Sequence, residues 1–144
     1  MDAYFDSAII VKLYVQEATS PDAIRLVGAY VAPYALTQWQ ALEVKNAIRL
    51  KTFRAEITAA EMNRSITAFE QDIATGRWQR PAYNVAIVEQ KTEELSAGHS
   101  ATLGCRTLDI FHVAAALVLE APEFVTFDTR QAALAKQVGL TVKP

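Results

Sequence analysis

Cysteine is almost absent: Cys105 is the only one in 144 residues. A single thiol excludes an intramolecular disulfide and a cysteine-built zinc cluster, and it fits a reducing cytoplasm. Glycine and proline are scarce too, five of each, which argues against low-complexity linkers and for a compact, helix-rich chain. There is no excess of positive charge, since 14 basic residues face 16 acidic ones for a formal charge of −2. No bulk basic field therefore marks the chain, although a local basic patch stays open. No apolar run reaches the roughly 18 residues of a membrane-spanning helix. The opening "MDAYFDSAII" carries an acid where a signal peptide would carry basic residues. What is present is ordinary for a globular protein: 51% hydrophobic and 21% charged residues. The expectation is one cytoplasmic domain spanning 1–144, with no membrane segment.

Short strands alternate with helices along the chain. "AYFD" (Ala3 to Asp6) reads as a first strand, followed by the helical spacing of "SAIIVKLYVQE". "SPDAIRLVGAY" predicts a helix with Ser20 as N-cap and Pro21 at its first position. "YVAP" predicts a second strand. "TQWQALEVKNAIRLK" and "TAAEMNRSITAFEQDIA" both open with capping-box spacing, Thr37 with Gln40 and Thr58 with Glu61. "TGRWQRPAYN" reads as a loop, Val85 to Ala97 as a helix, and "SAGHSATLG" as a turn-like stretch. The apolar helix "LDIFHVAAAL" follows, then the strand "EFVTF", the helix "DTRQAALAKQVG" closed by Gly139, and a last strand "LTV". This order implies a small parallel sheet covered on both faces, with sites beyond the carboxyl ends of the strands.

Four acids stand out against that layout. Asp6 and Asp128 each close a strand and so fall on the same sheet edge; each also fits a plain helix N-cap, Asp128 with Gln131 at capping-box distance. Glu43 lies mid-helix near Trp39, Asn46, Ala47 and Leu50, on or beside a packed face or at its water-reaching rim. Asp109 sits in a helix that is apolar on almost every side, where an unpaired carboxylate costs several kcal/mol or takes up a proton. An ion pair with Arg106 is one way to offset that cost. A hard divalent cation such as Mg²⁺ explains all four acids at once, because it neutralises converging carboxylates and keeps several waters. A carboxylate-held metal of this kind is suited to phosphodiester hydrolysis. One ion or two is not fixed by the residues.

In order and context these segments resemble the PIN-domain ribonucleases, in particular the VapC toxins of type II toxin–antitoxin pairs. "YFDSAIIVKLYVQE" is similar to the family's opening strand and helix, "TQWQALEVKNAI" to the segment bearing its Glu, "CRTLDIFHVAAAL" to that of the third acid, and "FVTFDTRQAALAKQVGL" to the final strand, turn and helix. The resemblance covers essentially the whole chain. It implies a PIN-like three-layer α/β/α sandwich around a small central parallel sheet. It implies Asp6, Glu43, Asp109 and Asp128 as catalytic and metal-holding residues for Mg²⁺ or Mn²⁺, with Ser7, Thr126 and Arg106 behind them. It implies endoribonuclease cleavage of a structured RNA such as a tRNA or a ribosomal RNA loop, a cognate antitoxin, and pairing into a homodimer. One departure is Ala8, where family members often carry Ser or Asn; Ser7 is the candidate for that hydroxyl's role.

Other residues carry weaker signals. His112 reads as a buried histidine satisfied by a hydrogen bond rather than a general base, and His99 as solvated. "GRWQRPAY" interleaves Arg77 and Arg80 with Trp78 and Tyr83, either to stack on RNA or, the better reading, as a packed loop. Lys45, Arg49, Lys51 and Arg54 form a basic stripe or a solvated face. The competing function is a catalytically silent PIN-fold module that binds RNA or protein. A phospho-aspartate receiver fits poorly, because Asp6-Ser7-Ala8 lacks a second acid two residues on.

Overall fold

The computed structural model describes all 144 residues, which form two compact units: Met1–Asp6 with Pro81–Pro144, and Ser7–Arg80. The first unit holds a three-stranded parallel sheet in the order β1 (Ala3–Phe5), β4 (Glu123–Val125), β5 (Thr141–Lys143). Its helices are α5 (Val85–Leu95), α6 (Ala101–Leu103), α7 (Thr107–Val118) and α8 (Thr129–Gln137). Consecutive residues of β1 and β4 are buried, as a parallel sheet covered on both faces requires. Tyr4 and Phe124 are register partners, and their rings stack with centroids 5.7 Å apart. Helix α7 shares their core, its Ala114, Ala115 and Ala116 fully buried, and packs closely along α5. Helix α8 ends at Gly139, whose φ of 93° only glycine adopts at little cost, and Leu140 N–H then returns to the Ala135 carbonyl.

The second unit contains α1 (Ser7–Tyr14), α2 (Ser20–Gly28), α3 (Gln38–Phe53) and α4 (Ala59–Ala74), with a two-residue parallel pairing of β2 (Tyr34–Ala35) and β3 (Trp78–Gln79). Both expected capping boxes are formed, Thr37 with Gln40 on α3 and Thr58 with Glu61 on α4. No helix of the chain is long and apolar enough to cross a membrane.

Four local expectations are corrected. Thr19, not Ser20, is the N-cap of α2; the Ser20 hydroxyl instead accepts from Glu17 N–H and donates to the Val15 carbonyl. The second strand begins at Tyr34, after "YVAP" rather than within it, because Pro33 has no N–H to give a ladder. The "TGRWQRPAYN" loop contains β3. "SAGHSATLG" is mostly helical: α5 runs on into a π-helical turn, Ser96–Ser100, and then α6, closed by Gly104.

An ion-pair network fastens the second unit. Lys51 Nζ donates to Glu17 at 3.0 Å and to Glu56 at 3.1 Å, and Lys12 reaches Glu17 at 3.3 Å. Burial works to raise the Glu17 carboxyl, but the bonds from Lys51 and Lys12 outweigh it and hold the pKa below the ordinary value. A lowered folded-state pKa contributes stability above the unfolded value and loses it as pH falls through the folded one. Glu17→Gln is therefore expected to lower the unfolding free energy at pH 7 by about 1 kcal/mol or less, with the gap closing below pH ~4. Urea unfolding of both proteins at the two pH values checks it.

Candidate active site

Three of the four singled-out acids belong to the first unit, and each is set by the element that carries it. Asp6 directly follows β1; its N–H donates to the Val125 carbonyl at 2.9 Å, and its side chain is buried. Asp128 caps α8, its Oδ1 accepting from the backbone N–H groups of Arg130 and Gln131, both at 2.9 Å. Asp109 stands in the first turn of α7 with its side chain 20% exposed, and its Oδ2 accepts from Arg106 Nε at 3.1 Å. The sequence reading put this carboxylate inside a core; it lies at the rim, and the Arg106 pair is made.

The residue that sequence reasoning missed is Gln131. It is fully buried, and its Nε2 donates both to Asp6 Oδ1 at 3.2 Å and to the Asp109 carbonyl at 3.3 Å. Its Oε1 accepts from the Thr126 hydroxyl at 2.6 Å, and Thr126 Oγ1 in turn accepts from Asp128 N–H at 3.0 Å. Gln131 was read as the capping-box partner of Asp128. Its backbone N–H does meet the cap, but its amide turns inward to Asp6 and Asp109. Spacing gives no sign of this turn, because one Gln at a helix's third position serves either purpose.

A cavity of about 320 Å³ opens beside these groups, lined by Gly104, Arg106, Asp109, Asp128, Thr129 and Arg130. Its electrostatics are shared. The hydrogen bond and charge of Asp109, helped by Asp128 and Asp6, push the Arg106 guanidinium above its usual range. Burial, then the charges of Asp109 and Asp128, push the Cys105 thiol up against the opposing pull of Arg130. A larger cavity, about 510 Å³, lies in the second unit between residues such as Tyr14, Glu56 and Arg64. Its two acids are already engaged, Glu56 with Lys51 and Glu61 in the α4 cap.

Glu43, the fourth acid, is half-buried on α3 in the second unit, where its Oε2 accepts from the Ser7 hydroxyl at 2.8 Å. Ser7 is the residue after Asp6. No three His, Cys, Asp or Glu side chains gather into a ready-made metal-ligand group. The donor set nevertheless suits a hard dication in kind, since it offers carboxylate oxygens and neither thiolate nor imidazole.

The remaining signals resolve into structure. His112 is buried and shares a 2.8 Å hydrogen bond with the Tyr4 hydroxyl. Trp78 is buried, its Nε1 donating to the Tyr14 hydroxyl at 2.7 Å, while Arg77 reaches Asp72 and lies over the Tyr34 ring. The packed-loop reading of "GRWQRPAY" therefore holds for its aromatic and first arginine. In the basic stripe Lys45 pairs with Glu70 and Lys51 with Glu17 and Glu56.

No family profile and no curated protein matches the sequence. Among solved structures, the fold is similar to the crystal structure of FitAcB from Neisseria gonorrhoeae, with a TM-score of 0.68, over 100% of this chain and 97% of that one, at 16% identity. The likeness is one of fold: the chain has a helix-rich α/β fold with a small parallel sheet, of the PIN-like three-layer α/β/α class.

Two outcomes follow from this geometry. Gln131→Leu strands the Thr126 hydroxyl and removes a donor from Asp6, and is expected to lower stability by about 1–3 kcal/mol in chemical denaturation. Asp109→Asn removes a negative charge that raises the Cys105 pKa, so thiol alkylation at fixed mildly alkaline pH is expected to quicken about two- to fivefold.

Proposed function

We propose that the chain is a metal-dependent endoribonuclease and the toxin of a type II toxin–antitoxin pair, folded as one PIN-like domain over 1–144. The observation that carries the reading is the Gln131 amide joined to the Asp6 carboxylate and the Asp109 backbone carbonyl, beside a cavity lined by Asp109 and Asp128 together with Arg106 and Arg130. The fold shared with FitAcB, PIN-like in class, supports the reading.

On this reading Asp6, Asp109 and Asp128, with Glu43 as the fourth acid, hold Mg²⁺ or Mn²⁺. The bound ion supplies acidified water and shielding of phosphate charge. The chain's own residues prepare the ground. Gln131 fixes the Asp6 carboxylate by donating to its Oδ1. Asp128 is held through its α8 cap, and Thr126 fixes both its backbone N–H and the Gln131 amide. Ser7 orients Glu43 through its hydroxyl. Hydrolysis then adds water oxygen to phosphorus as one P–O bond breaks, and the departing oxygen takes up a proton. A structured RNA, a tRNA or a ribosomal RNA loop, is the proposed substrate in the cytoplasm.

A protein partner is supported by a separate feature. Trp39, Leu42, Leu50 and Phe53 fall on one stripe of α3 and remain exposed, the kind of surface that partners cover. An antitoxin and a second toxin copy are the proposed partners. One observation favours the silent binding module instead: Asp109 is already neutralised by Arg106. Metal uptake without RNA turnover would be its signature.

Asp6→Asn and Asp109→Asn are each expected to cut RNA cleavage by about 100-fold or more, since even outer-shell changes at metal sites cost 10–100-fold. Circular dichroism should stay at the wild-type spectrum. Sequencing RNA 5′ ends after brief expression of wild type and Asp6→Asn checks both class and target. A new end common to both proteins, or full cleavage in excess EDTA, would sink the metal mechanism.

A further inference from the structure

Arg106 and Arg130 stand on the rim of the acidic cavity, and neither is accounted for by the fold. The Arg106 side chain is 81% exposed, and its one partner is Asp109, reached through Nε alone; the two terminal nitrogens of the guanidinium are unengaged. Arg130 is exposed as well, and its guanidinium pairs with no carboxylate and reaches only the Gly104 carbonyl, at a long 3.5 Å. Two guanidinium groups with spare donors thus flank Asp109 and Asp128 across a cavity of about 320 Å³.

We propose that these two arginines grip the RNA backbone, and that Arg106 does so by exchanging one partner for another. In the chain alone Arg106 neutralises Asp109. Once that carboxylate is neutralised by a divalent cation, the guanidinium turns to a phosphate of the RNA. The inference rests on the nuclease reading of the same site.

Three physical points carry it. A cavity lined by carboxylates repels a polyanion, so a phosphodiester needs cationic groups at the rim to approach. Guanidinium forks match phosphate oxygens two at a time, which an exposed arginine with free terminal nitrogens can do at once. An exposed arginine–aspartate pair three residues apart is weak, so Arg106 is easily released from Asp109.

The test measures two affinities that the proposal moves in opposite directions. Mn²⁺ uptake is measured by calorimetry, and binding of a short phosphorothioate RNA hairpin, in Mn²⁺, by fluorescence anisotropy across a salt series. Arg106→Ala removes a competitor for Asp109, so it is expected to tighten Mn²⁺ about two- to fivefold. The same change should weaken RNA binding about five- to tenfold and reduce the salt slope by about 0.7, the share of one phosphate contact. Arg130→Ala should weaken RNA similarly with Mn²⁺ affinity unchanged, and Arg106→Lys should restore part of the RNA affinity. Unchanged RNA binding in both alanine variants, or Arg106→Ala weakening metal and RNA together, overturns the proposal while leaving the nuclease reading standing. Wild-type chain that takes up no Mn²⁺ and leaves unmodified RNA uncut overturns both.

Discussion

A buried amide can sit in a protein interior only if its donors and acceptor all find partners. Gln131 meets that condition by bonding Asp6, the Asp109 carbonyl and Thr126 at once. Through these bonds the end of β1, the first turn of α7 and the start of α8 are held to one point. A shift of any one element would break its bond to the Gln131 amide, and buried polar groups that lose a partner are costly. The apolar packing serves the same arrangement. Three fully buried alanines sit where α7 packs along α5, and the Tyr4–Phe124 stack holds β1 and β4 in register in the same core. Around one polar link, hydrophobic contacts then set the distance and the link sets the orientation.

Charge is distributed in the first unit by the same economy of position. Asp6 is buried and hydrogen-bonded, Asp128 is absorbed by a helix N-terminus, and Asp109 at the rim is met by Arg106. None of the three carboxylates needs the others to be tolerable in the folded chain. The acids still act together electrostatically, as the raised values of Cys105 and Arg106 show. The cavity between Arg106, Arg130 and the two rim acids therefore has both signs of charge, the combination that a phosphodiester and its counter-ions call for.

The second unit secures its own polar groups in a comparable way. Tyr14 donates to Asp72 at 2.6 Å and accepts from Trp78, and burial followed by the Asp72 bond raises its hydroxyl pKa well above the ordinary range. This ties α1 to α4 and to β3, and it fixes the loop that carries Arg77. Trp78 and Arg77 of that loop are thus spent on structure. Glu43 in the same unit is held by Ser7, the residue after Asp6.

Much of the layout was legible along the chain. The parallel strands beginning at Ala3, Glu123 and Thr141, the capping boxes at Thr37 and Thr58, the Asp128 cap and the Gly139 stop all follow from local rules of spacing and backbone geometry. Those rules act within a few residues, so sequence expresses them directly. His112 was legible for a related reason, since a histidine on an apolar face needs a hydrogen-bond partner. The two-residue pairing of β2 with β3 was not, because a ladder that short has no periodicity to read. Nor was the turn of Gln131 toward Asp6, 125 positions away. Sequence by itself determined which residues could cap, pack or bear charge. Only tertiary structure decided which side-chain partner each took, because hydrogen-bond geometry acts over about 3 Å in space and is indifferent to distance along the chain.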